Sequence, residues 1–442
     1  MKKTKDELDS KATFLVEKGK QQLEDGKKNK AMRNFVDAAD LFEEIAVNFG
    51  DNAAWKLVTE NLVLTAKLLL DDQQYMSAAR IQKRLGNVAL IVKDYTSAGD
   101  YYNVAAKYAL KDEKPDPVVI LHVSAIYCFI TYLQAEHEKS RDFLKKILGM
   151  FDSSKVSGTH VYSILKDFFN VSLDKKMPKI SIKEQDLEKE GFTREEIWII
   201  KVAISIRAML DDSSFSFAID KPTKEPGHVA GEDITSRLDM KLVGDAFLRS
   251  MTTSVQAKTI IVEKSNDLTV VEDFAVPATI KLGDGIVLKE TFKSYHAGNN
   301  EVGPLFVDLV VGDFLAKKRI EGSKFMIHGR PVVMVITIEK LQEPLVGKPF
   351  PLRIEILNES RGDASNLEVE VKLPTEPELQ LVRGTLTKKF YALRGGEQGS
   401  WELQVVPIAE GQYPLMVILN YKDANGKQAE PVVKEEMIEV KM

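Results

Sequence analysis

The N-terminal part of the chain, residues 1–170, follows the periodicity of amphipathic helices, with apolar side chains recurring at helical spacing. Helix-breaking residues mark the connectors between them, among them Asp25-Gly26, Gly50-Asp51 and Pro115-Asp116-Pro117. Short connectors favour antiparallel neighbours, so the pattern predicts an array of helical hairpins. The predicted helices lie near residues 5–25, 30–48, 52–71, 74–92, 95–110, 116–136, 138–151 and 158–170.

Two predicted hairpins share one frame of small and aromatic positions, in which Gly19 of the first corresponds to Gly86 of the second. Small residues let two helix backbones approach closely, and an aromatic ring fills the space beside them. The offset between the two glycines is about two periods of a repeat of about 34 residues, so we expect a right-handed α-solenoid over residues 1–172. The repeat-packing positions are Gly19, Ala31, Phe35 and Ala38 in the first hairpin and Leu85, Gly86, Ala98, Tyr102 and Ala105 in the second.

Residues 173–212 are interpreted as a linker followed by a helix that packs on the solenoid. The stretch 175–183 is polar, and 184–210 has a helical pattern. Thr193 and Glu196 have the spacing of a capping box, in which each side chain bonds the other residue's backbone N–H. Gly191 just before them is a candidate break in this helix.

The periodicity changes near residue 213, where apolar and polar positions begin to alternate. Strands are expected at 259–262, 268–271, 278–282 and 305–311, with Gly283-Asp284-Gly285 as a hairpin turn. A helix between Met240 and Met251 stays an alternative. We therefore interpret 213–330 as a β-rich or mixed module whose fold the pattern does not specify.

Residues 331–442 show the most regular alternation, typical of sheets with one wet face. Seven or eight short strands in about 110 residues favour an immunoglobulin-like antiparallel β-sandwich. The fold class predicted for the whole chain is thus multidomain, α then β. The strand candidates are 332–339, 351–357, 367–373, 379–382, 387–393, 400–406, 412–421 and 432–440.

Composition excludes several classes of protein. The apolar fraction of 44% and charged fraction of 29% are those of a globular protein, and a net charge of −5 does not suit a nucleic-acid binder. A single cysteine, Cys128, allows no disulfide or zinc framework and is expected in the core. The charged start, residues 1–9, lacks the apolar run of a signal peptide, so we expect a cytoplasmic protein.

No spacing typical of a catalytic or metal site occurs in the sequence, so we expect no enzyme, metal or cofactor. The six histidines are scattered singly, and no phosphate-binding glycine loop or nucleophile elbow is present. The less favoured alternative is an enzyme with its site in 213–330, a region that contains His228, Asp284, His296 and Asp308.

Two groups of residues are candidates for contact with a partner. Tyr95 and Tyr101 fall outside the packing frame and could face a groove that holds a peptide, although core packing is the favoured alternative. A basic group surrounds the first helical turn, where a solvated end is the favoured alternative to an acidic partner or an anionic membrane surface. The basic group consists of Lys18, Lys20, Lys27, Lys28, Lys30 and Arg33.

The helical segment resembles tetratricopeptide-repeat proteins over about residues 7–111. Leu85-Gly86-Asn87, Ala98, Tyr101-Tyr102 and Ala105-Ala106 carry the match, and the phrases Phe35…Ala38-Ala39 and Tyr75…Ala78-Ala79 resemble the soluble attachment protein (SNAP) type of array. That resemblance implies a scaffold that holds helical bundles in vesicle traffic. The family ends in a helical bundle with an acidic-leucine tail, whereas this chain ends in predicted strands, so no ATPase-contact residues carry over.

The C-terminal segment resembles CARDB-type and related immunoglobulin-like modules over about residues 331–441. The matching phrases are Val346-Gly347-Lys348-Pro349-Phe350, Leu357-Asn358-Glu359-Ser360 and Gly411-Gln412-Tyr413-Pro414-Leu415. Coat-adaptor appendages also join such sandwiches to helical solenoids, which is a likeness of architecture alone.

The hypothesis that follows is a non-enzymatic adaptor. Its helical repeats would hold a peptide or helical bundle of a partner protein on their concave face, with vesicle trafficking or membrane remodelling as the setting. The alternative is a coat or tether component that makes peripheral contact with an anionic membrane through the basic group. Neither hypothesis involves nucleic acid.

Overall fold

The computed structural model describes residues 4–151, 155–169, 175–222, 227–375 and 378–442. All eight helices predicted for the N-terminal part are present, with ends close to the predicted ones. The boundary predicted at 172 lies outside the described residues. The helices are α1 Lys5–Glu24, α2 Lys28–Phe49, α3 Asn52–Asp71, α4 Tyr75–Ile91, α5 Tyr95–Lys111, α6 Pro117–Leu133, α7 His137–Phe151 and α8 His160–Phe169.

One type of turn joins four of the helix pairs. Its middle residue has left-handed φ angles of 74° at Gly26, 56° at Gln73, 61° at Lys93 and 62° at Ala135. In each turn two backbone N–H groups bond carbonyls in the last turn of the preceding helix, as from Lys93 to Leu90 and from Asp94 to Ala89. This is the Schellman pattern, which satisfies the free carbonyls at a helix end and reverses the chain. The array is therefore a series of antiparallel neighbours with short connections.

Glycine lies under an aromatic ring in both hairpins of the predicted frame. A Cβ on Gly19 would lie 2.8 Å from Phe35 Cε1, and one on Gly86 would lie 2.6 Å from Tyr102 Cε2. Both rings are buried, as are the alanines of the frame at 31, 38, 98 and 105. Gly19, Phe35, Gly86 and Tyr102 thus set the helix separation in α1–α2 and α4–α5.

The offset from Gly19 to Gly86, however, does not correspond to two helical hairpins. It carries α1 onto α4 and so spans three helices, whereas two hairpins of about 34 residues would span four. Because neighbours are antiparallel, α4 runs opposite to α1. The interpretation of this offset as two periods of tetratricopeptide length is wrong, since two complete hairpins would bring α1 onto α5.

Two further helices follow, α9 Glu184–Lys189 and α10 Arg194–Asp212. Gly191, at φ 90°, separates them as predicted, and Thr193 and Glu196 form the predicted capping box. α10 packs against α6 and α4, and therefore covers one side of the array.

The middle module consists of two sheets, and all its strand pairs are antiparallel except β2 with β10. One sheet has the order β1-β3-β7-β5; the other has the order β2-β10-β8-β4-β6, with β9 paired to β8. The strands are β1 Ser214–Ile219, β2 His228–Val229, β3 Ile234–Lys241, β4 Ser254–Lys264, β5 Thr269–Glu272, β6 Ala278–Lys281, β7 Gly285–Lys293, β8 Gly298–Val311, β9 Phe314–Ile320 and β10 Ser323–His328.

Two details of the middle module differ from the sequence interpretation. Met240 lies in β3, and the helix α11 is confined to Ala246–Met251. Gly283-Asp284-Gly285 connects β6 of one sheet to β7 of the other, so it closes no hairpin. Local turn chemistry specifies that the chain reverses there, but not which strand each neighbour pairs with.

The C-terminal module is a sandwich of two four-stranded antiparallel sheets, ordered β11-β12-β16-β14 and β15-β13-β17-β18. All eight predicted strands are present. The Tyr413 hydroxyl donates to the Ala409 carbonyl at 2.6 Å and accepts from its N–H at 3.0 Å, as in the tyrosine corner of such sandwiches. The strands are β11 Met334–Lys340, β12 Phe350–Asn358, β13 Ala364–Lys372, β14 Leu379–Arg383, β15 Thr387–Leu393, β16 Gln398–Pro407, β17 Gly411–Lys422 and β18 Val432–Val440.

A single apolar core runs from α4 to β9 and joins the helices to the middle sheets. At the contact the Phe314 ring lies 4.7 Å from the ring of Tyr95 and 5.8 Å from that of Trp198. The Lys318 ammonium donates to the Leu210 carbonyl at 3.2 Å. The middle module is therefore packed against the helices, while the C-terminal sandwich has a core of its own.

We predict that Gly86→Ala destabilises the helical array, although alanine favours a helix. The new methyl group would overlap the Tyr102 ring, which is buried and cannot move aside, and overpacking of this kind costs about 1–3 kcal/mol. Chemical denaturation followed by circular dichroism should show a lower midpoint.

The matched control is Gly149→Ala on α7, where an added Cβ meets no atom within 4 Å. That change should raise stability by about 0.5–1 kcal/mol through helix propensity. Equal effects of the two substitutions would show that the Tyr102 ring does not restrict Gly86.

Candidate functional site

A buried polar cluster joins α10 to the helical array. The Glu196 carboxylate, at 0% exposure, accepts from the Tyr102 hydroxyl at 2.7 Å. Its other oxygen lies 3.2 Å from His122 Nε2, and the Lys83 ammonium lies 3.6 Å from the oxygen that accepts from Tyr102. Asn87 Oδ1 accepts from Thr193 Oγ1 at 2.8 Å. Side chains from α4, α5, α6 and α10 thus converge on one carboxylate, which we call the Glu196 cluster.

The charges in the Glu196 cluster are balanced. Burial alone would raise the pKa of Glu196, but His122, Lys83 and Tyr102 together lower it. Burial lowers the pKa of His122, and it also lowers that of Lys83 against the opposing effect of Glu196. We therefore assign an ionised Glu196 beside a neutral His122 that donates from Nε2. Because the carboxylate is enclosed and bonded on both oxygens, the cluster packs helices together and offers no room for a substrate.

The sequence did not reveal this cluster. The capping box identified Glu196, but nothing local links it to Tyr102 or His122, which are 94 and 74 residues away. The available signal was a histidine inside the almost wholly apolar α6, since a polar side chain in a buried helix needs a partner.

An exposed ridge is formed by the end of α4 and the turn into α5, at the apolar Ile91 and Val92 and the charged Lys93. Ile91 is 37% exposed and Val92 46%. On one side lies a groove of about 270 Å³ between α3, α4 and α5, which Trp55, Val92 and Tyr101 line. On the other side lies a groove of about 340 Å³ against α10, lined by residues that include Tyr95 and Trp198.

The two candidate tyrosines therefore occupy different places. Tyr101 is half-buried and lines the α3–α5 groove beside Trp55. Tyr95 lines the α10 groove but also packs against Phe314 of the middle module. Core packing, the alternative to partner contact, accounts for part of the surface of each ring.

The basic group at the first helical turn is partly neutralised by neighbouring acids. Lys20 pairs with Glu17 at 3.0 Å, and Lys27 pairs with Asp25 at 2.9 Å. Lys28 bridges to Asp72 at 2.9 Å. Lys18, Lys30 and Arg33 are exposed. The group is thus a solvated end with mixed charge rather than a continuous positive surface.

The polar residues considered for a site in 213–330 are dispersed. His228 lies on β2 beside β10, while Asp308 accepts from the Thr259 hydroxyl at 2.7 Å in the middle of β8. Asp308 lies ten residues from Gly298, the β8 residue nearest β2, or about 30 Å of extended chain. Asp284 is in the β6–β7 turn, and His296 lies between β7 and β8. The four side chains do not form one constellation.

Across the described ranges, no group of three or more His, Cys, Asp or Glu side chains is arranged to hold a metal ion. Cys128 is completely buried, and burial raises the pKa of its thiol, consistent with a core position. In the same part of the chain, none of the helices combines the length and apolarity needed to cross a membrane.

We predict that Glu196→Gln lowers stability by about 2 kcal/mol at about pH 7, because it leaves Lys83 without its counter-charge. Since folding lowers the pKa of Glu196, its ionised form stabilises the folded chain above the ordinary range of a glutamate, about pH 4. That contribution is lost as the pH falls through the folded-state pKa. The gap in Tm between wild type and variant should therefore stay nearly constant from about pH 7 to about pH 4 and narrow as the pH falls further.

The control for this measurement is Glu188→Gln on the exposed surface of α9, which should match wild type throughout. A gap for Glu196→Gln that already closes well above about pH 4, or that stays constant below it, would contradict the assignment of an ionised carboxylate with a lowered pKa.

No protein-family model matches the sequence, and no curated protein matches it either. Among solved structures, similarity covers 60% of this chain for red sea bream transglutaminase, at 12% identity, and 51% for trypsin-activated alpha-2-macroglobulin from Escherichia coli, at 11%. These matches span 36% and 18% of those chains, with a TM-score of 0.21 in both cases, and carry no argument about fold or function. The structure of this chain is a helical repeat region followed by β-rich modules.

Proposed function

We propose that this chain is a non-enzymatic scaffold that holds a segment of a partner protein across the ridge of Ile91, Val92 and Lys93. The observation that supports the proposal is the ridge itself, where exposed aliphatic side chains lie between two grooves with aromatic walls. Grooves of this kind accept the apolar face of a helix or extended segment, and aromatic side chains are the usual anchors of such contacts.

Charge around the ridge suits a partner with a mixed polar rim. Lys56 and Asp94 border the α3–α5 groove, and Arg194 and Glu195 border the α10 groove. Rim charges of both signs orient a segment more than they add affinity. The apolar centre would therefore supply most of the binding free energy, and the partner should present Leu, Ile, Met or aromatic anchors.

The middle module supports the same function by holding the α10 groove in shape. Phe314 of β9 packs on Tyr95 and Trp198, which both line that groove. A binding surface supported by packed elements loses less entropy when a ligand binds. The resemblance to SNAP-type arrays adds vesicle traffic as the setting of this proposal.

The basic group gives less support to the alternative of a coat or tether on an anionic membrane. Three of its six side chains are in ion pairs with Glu17, Asp25 and Asp72. An acidic lipid surface would have to compete with these contacts, and each remaining cation near a membrane contributes only about 1 kcal/mol.

The test is selection of peptides from a displayed random library on the full chain, followed by anisotropy measurements with the enriched peptides. Val92→Glu places a charge at the centre of the ridge and should weaken peptide binding by about tenfold or more. Circular dichroism would check that the exposed substitution leaves the helices intact.

Val47→Glu is the matched control, since Val47 is 65% exposed on α2, outside both grooves. It should leave the affinity of the selected peptides unchanged. The proposal fails if no peptide is enriched, or if the selected peptides bind the Val92→Glu variant as tightly as wild type.

A further inference from the structure

A cavity separate from the two grooves lies where the helices meet the middle module, between α6, α7, α8, α10 and the strands β8 and β9. We call it the junction cavity. Its volume is about 470 Å³, within the range of about 300–1,000 Å³ for small-molecule sites. It shares no lining residue with the two ridge grooves, so conclusions about it are independent of the proposed scaffold function.

Positive charge predominates around the junction cavity. Three acidic side chains lie among its lining residues, and two of them are already paired: Asp211 with Arg207 at 3.0 Å and Glu321 with Arg319 at 2.8 Å. Glu138 is the third. Five basic side chains against three acidic ones leave an excess of two positive charges. The basic residues are Arg141, Arg207, Lys317, Lys318 and Arg319.

Two polar side chains at the cavity have buried nitrogen atoms without a hydrogen-bond partner among the described residues. These atoms are Nε of Arg141 and both ring nitrogens of His137. A buried donor that lacks a partner is unfavourable, and it is commonly satisfied by a ligand or an ordered water. Lys317, whose register partner across β8–β9 is Asp308, makes no ion pair within the described part of the chain.

The pKa of His137 indicates that the electrostatic potential in the junction cavity is positive. Burial, followed by the positive charges of Arg207 and Lys317, lowers the pKa of its imidazole to about 4. The imidazole is therefore neutral near pH 7 and offers one N–H donor. The positive charges of Arg207 and Lys317 disfavour a protonated His137, and for the same reason they favour an anion in the junction cavity.

The remaining walls are aromatic except for Leu210. Phe168 and Phe169 come from α8 and Tyr132 from α6, with the Tyr132 ring 4.8 Å from that of Phe168. Phe306 of β8 lies across the strand pair from Arg319. Rings of this kind contact an apolar or aromatic body, while guanidinium and ammonium groups bind its charged end.

We propose that the junction cavity binds a small organic anion, a carboxylate or phosphate monoester carried on an apolar or aromatic body. Arg141, Lys317 and the His137 N–H would bind the anionic group, and Phe306 and Phe169 would contact the apolar part. Because the ligand contacts α7, α8 and β9 together, its binding should also stabilise the junction between the helices and the middle module.

The experiment is isothermal titration calorimetry of the full chain with phenyl phosphate and with phenylacetate as probes. At least one probe should bind saturably with one-to-one stoichiometry. Arg141→Gln and Lys317→Gln should each weaken that binding by about tenfold, the value expected for one charge-assisted hydrogen bond. Lys317 is exposed, so its substitution leaves folding intact even if the Arg141 variant is unstable.

Lys324→Gln on β10 is the matched control, because its side chain is 80% exposed outside the cavity. It should bind the probe as wild type does. Phe306→Ala should weaken binding of the aromatic probe and leave any binding of inorganic phosphate unchanged. The proposal is overturned if neither probe binds saturably, if Lys324→Gln loses as much affinity as Lys317→Gln, or if inorganic phosphate binds as tightly as phenyl phosphate.

Discussion

The enclosed carboxylate of Glu196 is the contact on which the position of the middle module relative to the helical array depends. It lies in the first turn of α10, where it completes the capping box with Thr193 and accepts from Tyr102 and His122. A buried charge must be compensated where it lies, so α10 has one favourable position against α4, α5 and α6. From that position α10 carries the chain into β1, and its Trp198 packs on Phe314 of β9. The α10 groove and the junction cavity are consequences of this placement.

A second constraint acts inside the helical array and is mostly steric. Gly86 allows the Tyr102 ring to lie against α4, and the same ring directs its hydroxyl to Glu196. One side chain therefore sets the α4–α5 separation and contributes to the polar cluster. The Schellman turn at Lys93 then leaves Ile91 and Val92 at the surface, where the proposed partner segment would bind.

The candidate sites differ in how many of their residues could be predicted from the sequence. Tyr101 was identified as a candidate for groove contact, but Val92 and Trp55 were not, because their exposure and burial depend on which helices become neighbours. The residues of the junction cavity come from several separate segments between Tyr132 and Glu321. No spacing rule connects Arg141 of a helix with Lys317 of a strand, so a site of this kind has no sequence signature. The basic group was clear in the sequence, but its pairing with Glu17, Asp25 and Asp72 depends on side-chain geometry.

Local information alone determined most of the secondary structure at the two ends of this chain, but of the ten strands described in the middle module it predicted only β4, β5, β6 and β8. Periodicity placed eight helices and eight C-terminal strands, and the break at Gly191 and the capping box of α10 followed from single residues. Two further errors arose where pairing is not local: the turn at Gly283 joins two sheets, and the offset between Gly19 and Gly86 spans three helices. Periodicity and capping depend on residues a few positions apart, so they can be read from the sequence. Contacts between distant segments set which strands pair, which side chains bond a buried carboxylate and which residues line a cavity. Only the tertiary structure decided these features.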